Sequence, residues 1–532
     1  RGGEISIRRL DVPEVFNINV DDARGVDLSH IPIPEHREAI KDLINSYEPN
    51  RTREVGVTMN IILSDDIPVY QRPRRLAPEE KAEVDKQIAV WLEEGIVQPS
   101  HSDYASPIVL VKKKNGSTRI CVDYRQLNRK IIKDRYPLPL IEDELDSLQG
   151  ATIFSTLDLK NGFFHVPVEA ASRKYTAFVV PNGHYEFLKV PFGLCNSPAV
   201  FQKFIHAVFR EVTVAGIART YLDDIVVLAN DTSSAIKNLK AVLQVASQYG
   251  LSINWEKCNL VRTRVEYLGH IVENGCVQPS EHKTKAVIKF PKPRCVRDVQ
   301  SFLGLTGYFR KFIQHYSIVA RPLTNLLKGD SEFKFEALER ESFEKLKLIL
   351  SSSPVLKLYR VGAETELHTD ASGLGYGAIL LQRDSADGAF HPVYYASGKT
   401  TPAEERYPSY ELEVLAIVKS LRKFRVYLLG ISFKIVTDCQ AFAMTMNKKD
   451  LCVRVARWAL LLEEFNYEIE HRPGKSMRHV DALSRRPLST VMLVSEDHDG
   501  LLVRLREAQN GDADLRKICE DVEKYRADGY VI

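Results

Sequence analysis

Short runs of apolar and β-branched residues alternate with stretches of helical periodicity in the middle of the chain. The strand-like runs cover residues 106–113, 118–124, 152–159 and 176–180. Helical periodicity covers residues 78–94, followed by Gly95, and residues 231–249, followed by Gly250. Glycine favours the position just after a helix, so both stretches have a defined end. The irregular mixture predicts an α+β architecture rather than a repeated βαβ unit.

The remainder of the chain divides into a helical stretch and a second αβ unit. Residues 280–350 are largely helical in pattern, with breaks at Pro291, Pro293 and Pro322. Near residue 361 a new alternation begins, with strand-like runs at 364–369, 377–381, 392–396 and 433–437 and a long helical stretch at 402–424. Residues 1–68 are mixed and polar and predict a linker with one short helix. The charged residues 487–532 predict a helical tail.

Composition limits the class of protein without fixing its function. The chain has 532 residues, of which 44% are hydrophobic and 27% charged, so we expect three or four folded units. A net charge of +3 is weak evidence for nucleic-acid binding taken alone. The eight cysteines form no C-x-x-C pair, which favours a reducing compartment, and no apolar run is long enough to span a bilayer. Because the chain begins at Arg1 rather than Met, we expect it to be part of a longer protein.

Two adjacent aspartates mark the first candidate site. The segment RTYLDDIVVLAN, residues 219–230, predicts two strands with Asp223 and Asp224 at the tip of their hairpin, and Asp158 lies near the end of the run 152–159. If these strands are neighbours, three carboxylates meet at one sheet edge and can hold two Mg²⁺ ions for nucleotidyl transfer. The alternative is that the Asp-Asp pair is simply a polar turn.

Several segments in a fixed order resemble the reverse transcriptases of Ty3/gypsy-class long-terminal-repeat retrotransposons. They are YLDD at 221–224, FSTLDLKNGFFHVPV at 154–168, VPFGLCNSPAVFQ at 190–202, LVKKKNGSTRICVDYRQLN at 110–128 and EEGIVQPSHSDYASPIVLV at 93–111. The resemblance implies a right-hand polymerase with fingers and palm at 69–255 and a thumb with connecting helices at 256–355.

The same resemblance implies roles for individual residues. Asp158, Asp223 and Asp224 are expected to hold the metals, and Phe163 to exclude a ribose 2′-hydroxyl, although a buried core Phe is an equally good reading of that position. The expected nucleotide contacts are Arg119 with Lys112 or Lys113 on the triphosphate, and Phe192 and Gly193 under the nucleotide. The alternative for the three cations is a solvated basic hairpin. Gln202 is expected near the template.

Two further segments resemble parts that hold nucleic acid. YLGH at 267–270 resembles the primer grip, which implies that Tyr267, Leu268 and Gly269 position the primer terminus. Residues 296–313 resemble a thumb helix, in which Arg310 and Lys311 beside aromatic residues suit phosphate contacts. The alternative is an amphipathic helix with a solvated basic face.

A second group of acidic residues lies in the second αβ unit. Asp370, Glu413, Asp438 and Asp481 occur at strand ends or on helices, and together can hold metals for attack of water on a phosphodiester, although each alone suggests a solvated surface group. Their order and flanking segments resemble ribonuclease H over about 362–488, an α/β domain with a mixed sheet. Glu411 competes with Glu413 for one position. His471 resembles a histidine that assists ribonuclease H.

The resemblance also implies cofactors, partners and location. We expect two Mg²⁺ or Mn²⁺ ions per active site, and an RNA template, an RNA or DNA primer, an RNA–DNA hybrid and deoxynucleoside triphosphates as partners, with no membrane. Residues 489–532 resemble the lead-in to an integrase, so protease and integrase parts of one polyprotein are further expected partners. The expected location is the cytoplasm, within virus-like particles, with entry into the nucleus. A catalytically silent nucleic-acid-binding remnant, or a silent particle component, remains the alternative function.

Overall fold

A computed structural model describes residues 24–112, 118–314, 316–328, 333–352, 354–437 and 453–472. Three hydrophobic cores organise these residues. One joins the N-terminal residues to the first two sheets, one lies around the helices after residue 280, and one fills the C-terminal unit. Among the described helices, none is long and apolar enough to cross a membrane.

The first half of the chain forms two sheets. Its strands are β1 Val97–Pro99, β2 Ser106–Lys112, β3 Thr118–Val122, β4 Ile153–Asp158, β5 Phe178–Val180, β6 Gly183–Phe187, β7 Ala218–Tyr221, β8 Asp224–Ala229 and β9 Asn259–Arg262. One sheet has the order β1-β6-β5-β2-β3 and the other β7-β8-β4-β9. They correspond to the predicted fingers and palm. Strand β9 extends the palm beyond its predicted end at residue 255.

Helices cover the outer faces of these sheets. They are α1 Pro34–Asn45, α2 Pro78–Glu93, α3 Arg125–Lys130, α4 Ile141–Asp146, α5 Ser197–Val208, α6 Arg210–Val214 and α7 Thr232–Gln248. Helix α2 starts with Pro78, as predicted, and α7 starts after Asp231, whose side chain accepts a hydrogen bond from the Ser234 N–H at 2.9 Å. Such caps satisfy backbone groups that a helix end leaves unpaired.

Residues 1–68, expected to form a linker with one short helix, contain that helix as α1, and part of this segment packs against the palm. Ile40 and Ile44 of α1 are four residues apart on one helix face, and both are fully buried in the palm core. Met59 is also fully buried and pairs with Val168. These few apolar positions, separated by polar residues, give a weak sequence signal but a continuous contact with the palm.

The thumb region combines a small sheet with helices. Its strands are β10 Arg264–Tyr267, β11 His270–Glu273, β12 Cys276–Pro279 and β13 Leu356–Lys357, and they pair in this order. Its helices are α8 Glu281–Ile288, α9 Val296–Gly307, α10 Tyr316–Val319, α11 Arg321–Asn325 and α12 Ala337–Ser351. Strand β13 follows the helices and returns to β12, so the chain enters the next unit directly from this sheet.

The C-terminal unit has the predicted mixed sheet. Its elements are β14 Thr365–Ser372, β15 Gly375–Arg383, β16 Phe390–Lys399, α13 Ser409–Lys423, α14 Arg425–Leu428, β17 Ser432–Thr437, α15 Val453–Leu462 and β18 Asn466–His471. The sheet order is β16-β15-β14-β17-β18, antiparallel on the β16 side and parallel on the β18 side. Helix α13 packs against β14 and carries most of the apolar face of this core.

Candidate active sites

The palm sheet brings together the three predicted aspartates. Strands β4 and β8 are antiparallel neighbours, and Asp158 lies directly opposite Asp224 in their register. Tyr221 of β7 pairs with Asp224 of β8, so Leu222 and Asp223 form the two-residue turn between these strands. All three carboxylates therefore belong to one end of two adjacent strand pairs.

A buried glutamine holds this turn. The Leu222 N–H donates to Gln202 Oε1 at 2.7 Å, and Gln202 Nε2 donates to the Thr220 carbonyl at 3.2 Å. Leu222 has a φ of 53°, in the left-handed region that non-glycine residues seldom occupy. Since Gln202 has no exposed surface, it cannot contact a template directly, and that prediction is wrong. We assign Gln202 to the support of the catalytic turn.

The charges of this cluster affect one another. Lys257 Nζ lies 3.4 Å from Asp158 Oδ2. Asp224 keeps exposed surface, yet the surrounding protein removes part of its hydration. This desolvation, followed by repulsion from Asp223 and Asp158, raises the pKa of Asp224 to about 6. The site thus holds more negative charge than Lys257 neutralises.

A pair of aromatic rings, Phe163 and Phe192, lies between the palm carboxylates and Arg119 of the fingers. Phe163 lies in the short 3-10 helix Gly162–His165, and its ring centroid is 4.7 Å from that of Phe192. The Arg119 guanidinium carbon lies 4.7 Å from the Phe192 ring centroid. A Cβ at Gly162 would come within 2.9 Å of Phe201 and 3.6 Å of Asp223 Cβ, so only glycine lets Phe163 approach the catalytic turn this closely.

The other predicted nucleotide contacts surround this pair of rings. Lys112 is exposed at the end of β2, opposite Thr118 of β3, on the hairpin that carries Arg119. Lys113 lies outside the described residues. Gly193 is exposed with a φ of 100°, and a Cβ there would lie 3.1 Å from the Val122 carbonyl oxygen. Lys112 and Arg119 thus share one hairpin, and Gly193 follows the ring that Arg119 contacts.

The predicted primer hairpin joins β10 and β11. Leu268 and Gly269 form its turn, with φ values of 48° and 73°, and Tyr267 pairs with His270. The Tyr308 hydroxyl donates to the Leu268 carbonyl at 2.7 Å, which fixes the turn to the end of α9. Tyr267 is buried, and its hydroxyl lies 3.4 Å from Glu144 Oε2. Of the three residues predicted to position the primer, only Leu268 and Gly269 of the turn keep exposed surface.

The predicted phosphate contact of Lys311 is not supported, and Arg310 contacts the C-terminal unit. Arg310 Nη2 donates to the Ser397 carbonyl of β16 at 3.0 Å. Lys311 is 7% exposed, and burial lowers its pKa while Asp146 and Glu142 oppose that shift. Lys311 is buried between the thumb and the C-terminal unit because the short helix Arg310–Phe312 packs on β16. Arg310 keeps exposed surface, so its phosphate contact stays a prediction. A basic-aromatic pattern alone does not distinguish such an interface from a nucleic-acid surface.

The C-terminal unit brings together part of the second acidic group. Asp370 of β14 and Glu413 of α13 are 3% and 7% exposed, and Glu413 Oε1 accepts a hydrogen bond from the Ala371 N–H at 3.3 Å. This contact supports Glu413 over Glu411. Asp438 and Asp481 lie outside the described residues. His471 ends β18 and pairs with Thr437 of β17, so it lies at the same end of the strands as Asp370. Strand β18 is two strand spacings, or about 10 Å, from β14.

Both sites offer the ligands that divalent cations prefer. Carboxylate oxygens are hard ligands suited to Mg²⁺ and Mn²⁺. In the palm, mutual repulsion among aspartates is the kind of charge excess that a cation relieves. In the C-terminal unit, Glu413 bonds to the N–H of the residue that follows Asp370, and both acidic residues are nearly buried. The residues present therefore fit bound metal at each site.

Comparison with protein families matches two consecutive parts of the chain. Residues 111–272 match the family described as reverse transcriptase (RNA-dependent DNA polymerase), and residues 360–465 match the RNase H-like domain found in reverse transcriptase. The Pol polyprotein of the Drosophila melanogaster transposon opus is 36% identical over 87% of the chain. The Tf2-3 polyprotein of Schizosaccharomyces pombe is 36% identical over 79%. The chain belongs to the Ty3/gypsy-class Pol polyproteins.

Within this family, the chain is the reverse transcriptase and ribonuclease H segment. It spans 49% of the opus polyprotein and 31% of the Tf2-3 polyprotein. The foamy viral protease–reverse transcriptase solved with double-stranded DNA is 21% identical, with a TM-score of 0.72 over 83% of this chain and 94% of that one. That similarity confirms the predicted fold, a right-hand polymerase followed by a ribonuclease H-like domain.

Sequence reasoning missed Lys257 as a residue of the palm site, and it missed the supporting role of Gln202. Lys257 follows Trp255 in a short 3-10 helix, and no local pattern marks it as a neighbour of Asp158, 99 positions earlier. Gln202 belongs to a recognised segment, and its spacing on α5 gave a usable signal. It lies one residue after Phe201 and two before Phe204 on a largely buried helix, where a polar side chain needs internal partners.

Proposed function

We propose that this Pol segment is an RNA- and DNA-directed DNA polymerase that also cleaves the RNA strand of RNA–DNA hybrids. The observation that carries the proposal is the direct pairing of Asp158 with Asp224, beside Asp223 in the adjoining turn. Carboxylates from distant segments meet at one sheet edge, which an isolated polar turn would not require. The hydrogen bond from the Ala371 N–H, next to Asp370, to Glu413 supports the second activity.

The residues around the palm carboxylates suit primer extension. Two divalent cations, when bound, would activate the primer 3′-hydroxyl and stabilise the leaving pyrophosphate. Arg119, held over Phe192, would contact the triphosphate, and Phe163 would restrict the space near C2′ of the sugar. The turn Leu268–Gly269 would set the position of the primer end. Orientation of the reacting groups accounts for much of the rate in such reactions.

The second site suits hydrolysis of a phosphodiester. Asp370 and Glu413 would hold metal on the nearly buried side of the sheet edge, and Asp438 and Asp481 are the remaining proposed ligands. His471, at the same edge, is the proposed residue that assists departure of the cleaved strand. This arrangement suits metal-assisted attack of water on a phosphodiester, and the proposed substrate is the RNA strand of the hybrid.

The proposed partners follow from these reactions. They are an RNA or DNA template, a primer, deoxynucleoside triphosphates and the RNA–DNA hybrid, with two Mg²⁺ or Mn²⁺ ions in each site. Related foamy viral enzymes have been solved with double-stranded DNA and with an RNA/DNA hybrid. Because relatives are longer polyproteins, protease and integrase parts are further proposed partners. We propose action in cytoplasmic virus-like particles, with later entry into the nucleus.

One assay tests the polymerase proposal. Purified chain is given poly(rA), oligo(dT), dTTP and Mg²⁺, and incorporation is measured beside binding of the same primer–template. We expect incorporation that stops when the metal is chelated. Binding without incorporation would instead support a silent nucleic-acid-binding remnant or particle component. Cleavage of a labelled RNA–DNA hybrid, measured in parallel, tests the second activity.

A further inference from the structure

The short palm helix α4 contacts the two catalytic units at once. Its sequence, IEDELD, carries three carboxylates that each accept a hydrogen bond from a tyrosine hydroxyl. Glu142 Oε1 accepts from Tyr394 of β16 at 2.7 Å, and Asp146 Oδ2 accepts from Tyr427 of α14 at 2.7 Å. Glu144 accepts from Tyr267 of the primer hairpin at 3.4 Å. Two of these tyrosines belong to the ribonuclease H domain.

The spacing of the carboxylates explains the division between the two units. Glu142 and Asp146 are four residues apart and lie on one helix face, whereas Glu144 points to another side. Leu145 between them is fully buried and anchors the helix in the palm–thumb core. The six-residue helix α4 therefore lies between the primer hairpin and the ribonuclease H domain and contacts both.

The two hydrogen bonds from α4 to the ribonuclease H domain are of a strong type. A tyrosine hydroxyl on a carboxylate at 2.7 Å is a charge-assisted hydrogen bond, stronger than a bond between neutral groups. Tyr394 is 4% exposed and Lys311, whose charge interacts with both Glu142 and Asp146, is 7% exposed. Little water competes for these groups, and the lysine offsets part of the negative charge.

Contacts outside α4 also hold the same domain in position, and they connect it to the thumb. The Ser317 hydroxyl donates to the Ser397 carbonyl at 2.9 Å, and Arg310 donates to the same carbonyl at 3.0 Å. These bonds tie β16 to the thumb. Helix α4 differs because it contacts β16, α14 and the hairpin that is proposed to hold the primer end. Tyr267 is also close enough to Asp224 for that charge to influence it.

We propose that Glu142 and Asp146 are positioning residues that set how far from the primer terminus the ribonuclease H site cuts. The proposal rests on the proposed function. Through α4, the primer hairpin at one end and Tyr394 and Tyr427 at the other are held at a fixed separation. The hybrid spanning both sites would then be cut at one preferred distance from the primer end.

The test compares cut positions in the full chain. A 5′-labelled RNA template is annealed to a DNA primer with a recessed 3′ end, and cleavage is followed in a single turnover with Mg²⁺ and no nucleotides. For wild type we expect one narrow group of cuts. For the double variant Tyr394→Phe, Tyr427→Phe, which removes only two hydroxyls, we expect that distribution to become roughly twice as wide, because two charge-assisted bonds are lost.

A matched control separates positioning from general destabilisation. Tyr47→Phe also removes one buried hydroxyl, which donates to the Leu251 carbonyl at 2.6 Å within the palm core. We expect the cut distribution of this variant to match wild type. Primer extension, and cleavage of a blunt hybrid without a recessed end, should persist in all three proteins. An unchanged cut distribution in the double variant would overturn the proposal.

A second measurement does not depend on activity. Spin labels on an unnatural amino acid at the exposed positions Val214, in the palm, and Val361, at the start of the ribonuclease H domain, report the distance between these units. We expect the double variant to broaden the distance distribution of wild type, and Tyr47→Phe to leave it unchanged. If wild type neither extends primers nor cleaves hybrids, the proposed function fails. An equally narrow distribution in the double variant would refute the role of α4 in either case.

Discussion

The two candidate active sites place their carboxylates on different kinds of support. In the palm, Asp158 ends a strand, Asp223 lies in a two-residue turn and Asp224 begins the next strand. Asp223 and Asp224 are exposed, and Asp158 is half-buried. In the ribonuclease H domain, Asp370 lies within an eight-residue strand and Glu413 within a fifteen-residue helix, and both are nearly buried.

This difference teaches where each site is vulnerable. The palm turn requires a left-handed leucine and depends on the hydrogen bond that a single buried side chain, Gln202, accepts from it. In the ribonuclease H domain, Asp370 is fixed by the regular pairing of β14 with β15, and Glu413 lies on helix α13, which packs against β14. We therefore expect changes outside the carboxylates to affect polymerisation more readily than hybrid cleavage.

The largest expected effect comes from removing one metal ligand at each site. Asp223→Asn should lower primer extension at least roughly a hundredfold, because several kcal/mol of charge stabilisation depend on the bound cations. Hybrid cleavage by this variant should stay at the wild-type rate. Asp370→Asn should have the opposite pattern. Both activities are measured on the same preparations, and loss of both from either change would contradict two independent sites.

A smaller effect is expected at the proposed sugar gate. Phe163→Ala should raise the use of ribonucleotides relative to deoxynucleotides by roughly 10- to 200-fold, the usual range for one steric contact in a pocket. The measurement is the ratio of kcat/KM for UTP and dTTP. Phe164→Ala is the control, because that ring packs on Trp91 and Phe187 in the core. Equal sugar selectivity in wild type and Phe163→Ala would assign Phe163 to the core.

Gln202→Leu tests whether polymerisation depends on the support of the catalytic turn. Loss of the acceptor leaves the Leu222 N–H unsatisfied, which costs about 1–3 kcal/mol, and we expect primer extension to fall about tenfold to a hundredfold. Lys203→Leu makes the same replacement on the exposed face of α5 and should be nearly neutral. Hybrid cleavage serves as the check on folding. If it falls in parallel with extension, Gln202 supports the whole chain rather than the palm site.

The smallest expected effect concerns acid sensitivity of the polymerase half. Burial against Tyr308, Phe309 and Phe312, followed by the charge of Lys311, lowers the pKa of His270 from 6.5 to about 3. The unfolded chain therefore binds a proton that the folded protein does not, and stability is lost as pH falls from about 6.5 toward 3.

Thermal unfolding at pH 7 and pH 5 measures this contribution. The drop in melting temperature between these values should be smaller for His270→Asn than for wild type, while His101→Asn, on the exposed fingers surface, should behave as wild type. An equal drop in wild type and His270→Asn would show that other groups control acid stability. Asn keeps a donor for the Leu268 carbonyl, so the hairpin contact is retained in part.

Much of this architecture could be predicted from local pattern. The helix beginning at Pro78 and the strands around Asp158, Asp224 and Asp370 follow from periodicity, caps and apolar runs. The mixed sheet around Asp370 is what the resemblance to ribonuclease H implies. Recognisable segments then identified the carboxylates. These features depend on neighbours in sequence, or on pairing between strongly patterned strands.

The remaining features depend on contacts between distant residues. Arg310 and Lys311 have a pattern typical of phosphate binding, but Lys311 is buried and Arg310, which keeps exposed surface, donates to the Ser397 carbonyl of β16, almost ninety residues later. Gln202 and Lys257 act through a backbone group and a carboxylate that periodicity cannot pair with them. The packing of Ile40 and Met59 likewise needs a palm surface that forms from later segments.

Strand β13 has a practical consequence for engineering. Only residues 358–364 separate its last residue, Lys357, from the first strand of the ribonuclease H domain, and the Arg360 N–H already donates to Gln382. Lys357 also contacts Asp384 at 2.6 Å. A reporter or spacer inserted between β13 and β14 would have to break the pairing of β13 with β12. A longer connection between β13 and β14 would therefore not by itself separate the polymerase from the ribonuclease H domain. Chimeras with other nucleases should be joined upstream of Leu356.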